Sequence, residues 1–287
     1  MAPASNTTSS AQRINNPLIK EEWKHNVWKQ STVAQLLIKD NTMIELKSKE
    51  KETSEVRSVH KALLCFYSPY HDRLLNGDFA EGQVAPTEPL MIRTNASVLK
   101  LFFIWLYTGT IGVAPPTSEE IDPHNWFVGI TKLYILADEL NCIALQRSIM
   151  SAQVALSKDI ALADYDVIEL LSNSSLESSG LYQYFSEDYA THWNGLSDDG
   201  SAIDPHSAVE DPMPPNFAYR LLIEHLNGTT QMSGSCACCY DPCKFHKHID
   251  EEERKAKVAL RNRSAAKKRN HEVGDADTSK TRRVKTT

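Results

Sequence analysis

The sequence predicts an α+β fold in which a small three-stranded sheet is covered by a cluster of short helices. Two observations predict it. Near Ala62 the hydrophobic period changes from strand-like alternation to helical spacing. The elements also fall in the order two strands, two short helices, one strand, then a run of helices, so helices must cover one small sheet.

Residues 1–30 are polar without a sustained pattern and are expected to form a disordered leader. The dense signals occupy 31–156. Met43–Lys47 alternates as a strand, Lys47–Glu55 is a charged turn, and Glu55–Val59 reads as the second strand. Ala62, Leu63, Leu64 and Phe66 begin a helix that Pro69 interrupts, since proline cannot continue the preceding hydrogen bonding. A second short helix starts near Ser68, with serine as cap and proline in the first turn, and stops at Asn76-Gly77. Pro89–Arg93 is the third strand.

Asn95 or Ser97 could cap the next helix, in which Val98, Leu101, Phe102, Trp105 and Leu106 share one face and Gly109 stands where a left-handed cap is wanted. Pro115-Pro116 opens a loop. Further stripes run through Trp126, Ile130, Leu133, Ala137 and Leu140, and through Leu145, Ile149, Ala152 and Leu156.

Residues 157–193 read as a helical extension, with a helix over Asp159–Leu171, a Ser-rich break at Ser172–Ser179 and an ordered aromatic stretch at Leu181–Trp193. A linker rich in Gly, Asp, Ser and Pro spans 194–215. Residues 216–250 hold a short amphipathic helix, Phe217–Leu226, and a Cys/His cluster; 251–287 form a basic tail expected to be largely disordered.

The 287 residues are 41% apolar and 24% charged, the proportions of an ordinary globular protein. The apolar stretch Leu99–Tyr107, broken only by Lys100, is about half what a bilayer span needs, so no membrane partner is expected. The stretch Met1–Arg13 lacks the apolar core of a secretory signal, which places the expected location in the cytoplasm or nucleus. The net charge of -6 conceals a basic run, Arg254–Arg269, so the rest of the chain is more acidic than the total suggests and a nucleic-acid-binding body is not expected. Cys65 and Cys142 sit alone in apolar helical patterns as small buried thiols.

The stretch Val59-His60-Lys61-Ala62-Leu63-Leu64-Cys65-Phe66-Tyr67-Ser68-Pro69-Tyr70 resembles the first signature of the BTB/POZ family, especially its fungal members. Three more segments follow in the family's order: Leu75–Gly82, which resembles its "LNG-x-F-x-E" loop, Phe102–Gly109, its "F-x-x-WLYTG" helix, and Leu133–Leu140, its "LY-x-LADKL" helix. The resemblance implies a non-catalytic protein–protein interaction module. Many members form homodimers through apolar helix faces and a small charged pocket. Here the pocket's acidic position aligns with Asn41 and its basic position with Lys61, so the charge pair is lost. His71 also departs from the family's aromatic residue.

The resemblance further implies a surface for cullin scaffolds of ubiquitin ligases, in which Phe79 would fill a scaffold pocket and Glu81 would form its polar rim. A substrate adaptor is therefore the leading expectation. The alternative is a nuclear, transcription-linked scaffold that self-associates or binds a regulator. His60, at a helix start, is expected to be a structural hydrogen-bonding residue.

Six soft ligands crowd into thirteen residues: Cys236, Cys238, Cys239, Cys243, His246 and His248. Thiolates beside imidazoles suit tetrahedral zinc. Two of the first three cysteines with Cys243 and one histidine would make a structural tetrad; free thiols in a flexible tail are the other reading. Glu251–Glu253 ahead of basic residues favours a helix. The groups Arg254-Lys255 and Lys267–Arg269 read as a nuclear import signal or as a solvated charge run. The chain lacks an HExxH pair, a phosphate-cradling glycine loop and a Ser/His/Asp order, so it is not expected to be an enzyme.

Overall fold

A computed structural model describes residues 27–49, 56–77, 88–112, 123–156, 162–192, 213–226, 238, 241–248 and 251–259. The chain divides into two compact units. His25–Lys247 forms one; Met1–Lys24 with His248–Thr287 forms the other.

The larger unit has the expected α+β class, with more helix than strand. Among the described residues its strands are β1 (Met43–Ser48), β2 (Val56–His60) and β3 (Leu90–Ile92), in the order β2-β1-β3. β1 pairs antiparallel with β2, from Met43 opposite His60 to Lys47 opposite Val56. It pairs in parallel with β3, Leu46 opposite Leu90. Alternation along β1 turns Ile44, Leu46 and Ser48 inward and leaves Met43 and Glu45 exposed, the period-2 pattern of a half-buried strand.

A helix that the sequence reading did not anticipate precedes the sheet: α1, Gln30–Lys39. Only Val33 on it is buried, so its apolar face is too narrow to announce itself in the sequence. Docking supports it instead. Trp28 Nε1 donates to the Leu106 carbonyl at 3.1 Å, and Lys29 N donates to Tyr67 Oη at 3.3 Å. The expected leader therefore gives way to described structure from residue 27.

The helices α2 (Lys61–Tyr67) and α3 (Pro69–Asn76) meet at Ser68, whose Oγ accepts from His71 N at 3.3 Å to cap α3. Next comes α4 (Ala96–Thr108). Asn95 caps it by accepting from Val98 N at 2.8 Å, and Gly109 ends it at φ +71°. A Cβ at Gly109 would lie 2.3 Å from the Trp28 ring, so both backbone conformation and space require glycine there.

α5 (Pro123–Glu139) and α6 (Ile143–Leu156) form the next pair. Asn141, at φ +51°, makes the tight connection, and Cys142 N returns to the Ala137 carbonyl at 2.7 Å.

α7 spans Tyr165–Asn173 and starts later than the expected Asp159, because the backbone at 162–164 is not helical. α8 is Gly180–His192 and α9 is Pro215–Leu226. Phe217 is fully buried edge-on between the rings of Tyr182 and Tyr189, which fixes α9 on α8. The opposite face of α9 leaves Tyr219, Leu222, Ile223 and Leu226 exposed. A short turn, α10 (Pro242–Phe245), completes this unit.

In the second unit, α11 spans 251–259, as the acidic run ahead of basic residues suggested. Arg254 holds the Glu251 carboxylate through two hydrogen bonds of 2.8 and 2.7 Å. Among the described residues no helix is long and apolar enough to cross a membrane.

Candidate functional site

The polar residues of the motif segments are joined to one another. His60 Nδ1 lies 2.8 Å from Tyr107 Oη, and the His60 amide donates to the same oxygen at 3.2 Å. Ser68 Oγ donates to the Leu140 carbonyl at 2.8 Å. A hydroxyl has one proton, so the 3.0 Å contact between Ser68 Oγ and His71 Nδ1 must be a donation from the ring. Burial lowers the His71 imidazole to about 4, so the neutral ring carries its proton on Nδ1. Burial likewise pushes the Cys65 thiol up to about 11 and the Cys142 thiol to about 12, as expected of packed, unreactive thiols.

Of the residues assigned to partner binding, Asn41 is exposed. Lys61 directs its ammonium to the Leu75 carbonyl at 3.0 Å, near the end of α3, where helix carbonyls lack intrahelical partners. The acid beside this position is Asp40, whose carboxylate accepts from Thr42 N at 2.9 Å. Hydrogen bonding from Thr42 and the nearby Lys61 charge hold that carboxyl below its usual range. Phe79 and Glu81 lie outside the described residues.

Part of the Cys/His segment lies among the described residues. Cys236 and Cys239 lie outside the described residues, and His248 belongs to the second unit, where its Nδ1 is 3.8 Å from Glu253 Oε2. Cys243 Sγ and a ring nitrogen of His246 lie within 4.8 Å of each other.

The described part of this segment is docked, not free. Arg147 clamps the Lys247 carbonyl through Nε at 2.9 Å and Nη2 at 2.6 Å. Phe245 is 2% exposed and packs edge-on against Tyr184 at 5.4 Å, while Lys244 pairs with Glu187 at 2.5 Å. Gly180, at the start of α8, makes this approach feasible, because a Cβ there would stand 1.9 Å from the Phe245 carbonyl oxygen. Gly180→Ala is expected to cost about 1–3 kcal/mol as overpacking against rigid backbone. Trypsin should then cut at Lys244 and Lys247 well before the core opens; cleavage no faster than in the wild type would show that the segment is held without that close approach.

Two residues that the sequence reading missed come from α8. Cys238, fully buried, places Sγ 3.5 Å from His192 Nε2, and Asp188 Oδ1 lies 3.9 Å from that same nitrogen. All three potential ligand atoms lie within 4.8 Å of one another. The available signal was the spacing Asp188-x-x-x-His192, which puts both side chains on one helix face. It went unread because the matching cysteine is 46 residues away.

A third group, His124 with Asp164 and Asp166, joins α5 to the start of α7. Asp164 Oδ2 is 2.7 Å from Nδ1, whereas Asp166 Oδ2 is 3.6 Å from Nε2, so the two carboxylates bracket the ring from opposite nitrogens. Protein-family models give no match to the chain, and neither do the curated proteins.

Proposed function

We propose that this chain is a BTB/POZ-type interaction module, non-catalytic, that brings one protein to another as a substrate adaptor of a cullin-based ubiquitin ligase. The observation that carries the reading is the way its motif segments meet. The first reaches the third through His60 and Tyr107, and the fourth through Ser68 and the Leu140 carbonyl. These three segments lie in one α+β unit, and the polar groups named hold it together. The exposed apolar stripe of α9 supports the same class, because contiguous apolar surface of this kind suits association with protein.

Affinity purification of the tagged protein from its own cells, beside Phe79→Ala/Glu81→Ala, tests the proposal. The wild type should recover a cullin scaffold. The double variant should lose about 2 kcal/mol of binding, roughly thirtyfold in affinity, as expected when a buried aromatic anchor is removed. If neither sample contains a cullin and the protein is nuclear, the transcription-linked scaffold becomes the better reading. The basic run that starts within α11 is the feature that favours it.

A further inference from the structure

We propose that Asp188, His192 and Cys238 form a binding site for a divalent transition metal, zinc by the chemistry of the donors, which ties the segment containing Cys238 to the C-terminal end of α8. Zinc holds sulfur at roughly 2.3 Å and nitrogen or oxygen at roughly 2.0–2.2 Å, so two ligands of one tetrahedral ion stand about 3.3–3.6 Å apart. The 3.5 Å from His192 Nε2 to sulfur falls within that spacing, and the 3.9 Å to oxygen lies a few tenths of an ångström beyond it, within reach of a side-chain adjustment. The oxygen is also too far for a hydrogen bond.

The His124 group makes the contrast. Its 2.7 Å contact is shorter than two ligands on one tetrahedral ion would stand, and its carboxylates occupy different ring nitrogens. That group is held by direct carboxylate–imidazole contacts.

Convergence on a single nitrogen also separates the Asp188 cluster from a nucleophile relay. In a relay the thiol uses one imidazole nitrogen and the orienting carboxylate uses the other. Here sulfur and carboxylate face the same Nε2. Cys238 is fully buried and Asp188 only 6% exposed, so a substrate has no approach to the sulfur. The His192 side chain is 41% exposed and leaves an entry for an ion. A helix C-terminus favours positive charge, and His192 is the last residue of α8. Mixed thiolate, imidazole and carboxylate donors suit zinc better than magnesium or calcium, which take oxygen. Water would complete the tetrahedron as the fourth ligand.

The test uses the full chain, purified from zinc-supplemented cells and dialysed, with metal content read by mass spectrometry and cobalt titrated into the stripped protein. The wild type should hold zinc. His192→Ala, at a partly exposed position, should carry one equivalent fewer per chain while keeping the wild-type circular dichroism spectrum. Cobalt should give a sulfur-to-metal charge-transfer band that Cys238→Ser weakens and Cys243→Ser retains. A wild type that binds neither metal overturns the proposal. So does a His192→Ala variant with wild-type zinc content, or an equivalent lost in Cys243→Ser yet kept in His192→Ala. If Cys238→Ser fails to fold, the His192→Ala measurement decides alone.

Discussion

Replacing Trp105 by alanine is expected to cost about 3–5 kcal/mol, a large part of the stability of an ordinary domain. The indole is completely buried, stacks on Phe102 at 6.3 Å and meets Tyr67 edge-on at 5.3 Å. It therefore connects α4 to α2, two of the motif segments. Its Nε1 donates to Ser148 Oγ at 3.0 Å, which adds α6 to the same node. Alanine would leave a cavity where these three helices meet. Trp105→Phe keeps much of the apolar contact and leaves Ser148 without that donor, so a smaller loss, on the order of 1–2 kcal/mol, is expected. Urea denaturation of the three proteins measures both. A loss below about 1 kcal/mol for alanine would mean that α4 does not anchor the core.

Acid should destabilise the protein through His71. In the unfolded chain an imidazole takes up its proton near 6.5, but in the folded chain burial delays this to about 4. Between those values the unfolded state binds more protons, so stability falls as pH falls. The contribution is fully present above about 6.5 and is lost progressively towards 4. A gap of this size is worth on the order of 3 kcal/mol, of which about 2 disappears between pH 7 and pH 5. The ring is only 2% exposed, so solvent screens little of it.

Asp188, pushed up to about 7 by burial, works in the opposite direction, and other groups add their own slopes. The measurement is accordingly a difference. Denaturation of the wild type and His71→Gln at pH 7 and pH 5 should show the wild type losing about 2 kcal/mol more than the variant. Equal losses would mean that the ring is not held neutral between Ser68 and the core. As a neutral imidazole His71 fills the buried site and gives Ser68 the donor that the hydroxyl can accept.

Much of the site was not legible from residue spacing. The sequence reading drew the Cys/His cluster as one local tetrad because the ligands are crowded within thirteen residues. Folding keeps Cys243 and His246 within 4.8 Å of each other, while Cys238 meets two residues of α8. Local density of ligand residues does not say which side chains a buried backbone turns toward which helix. Asn41 and Lys61 illustrate the same limit. The resemblance placed them together as a former charge pair, whereas Lys61 is engaged by the end of α3 and the nearby acid is Asp40.

Local chemistry carried the fold further. β1 and β2 were legible because alternation on a half-buried strand is a short-range pattern. The break between α2 and α3 was legible because Ser68 and Pro69 act on the backbone beside them, and the end of α4 because Gly109 does. α1 and the late start of α7 were not. α1 has one buried residue and relies on Trp28 reaching Leu106, 78 residues away. Asp164 precedes α7 but directs its carboxylate to His124 on α5, 40 residues earlier. The sequence by itself determined the α+β order, the helix stops and the buried thiols, since each follows from periodicity or from a residue acting on its neighbours. The tertiary structure alone decided the strapping of α1, the neutrality of His71 and the grouping of Asp188, His192 and Cys238. These depend on desolvation and on distances between atoms far apart in the chain, which no local pattern encodes.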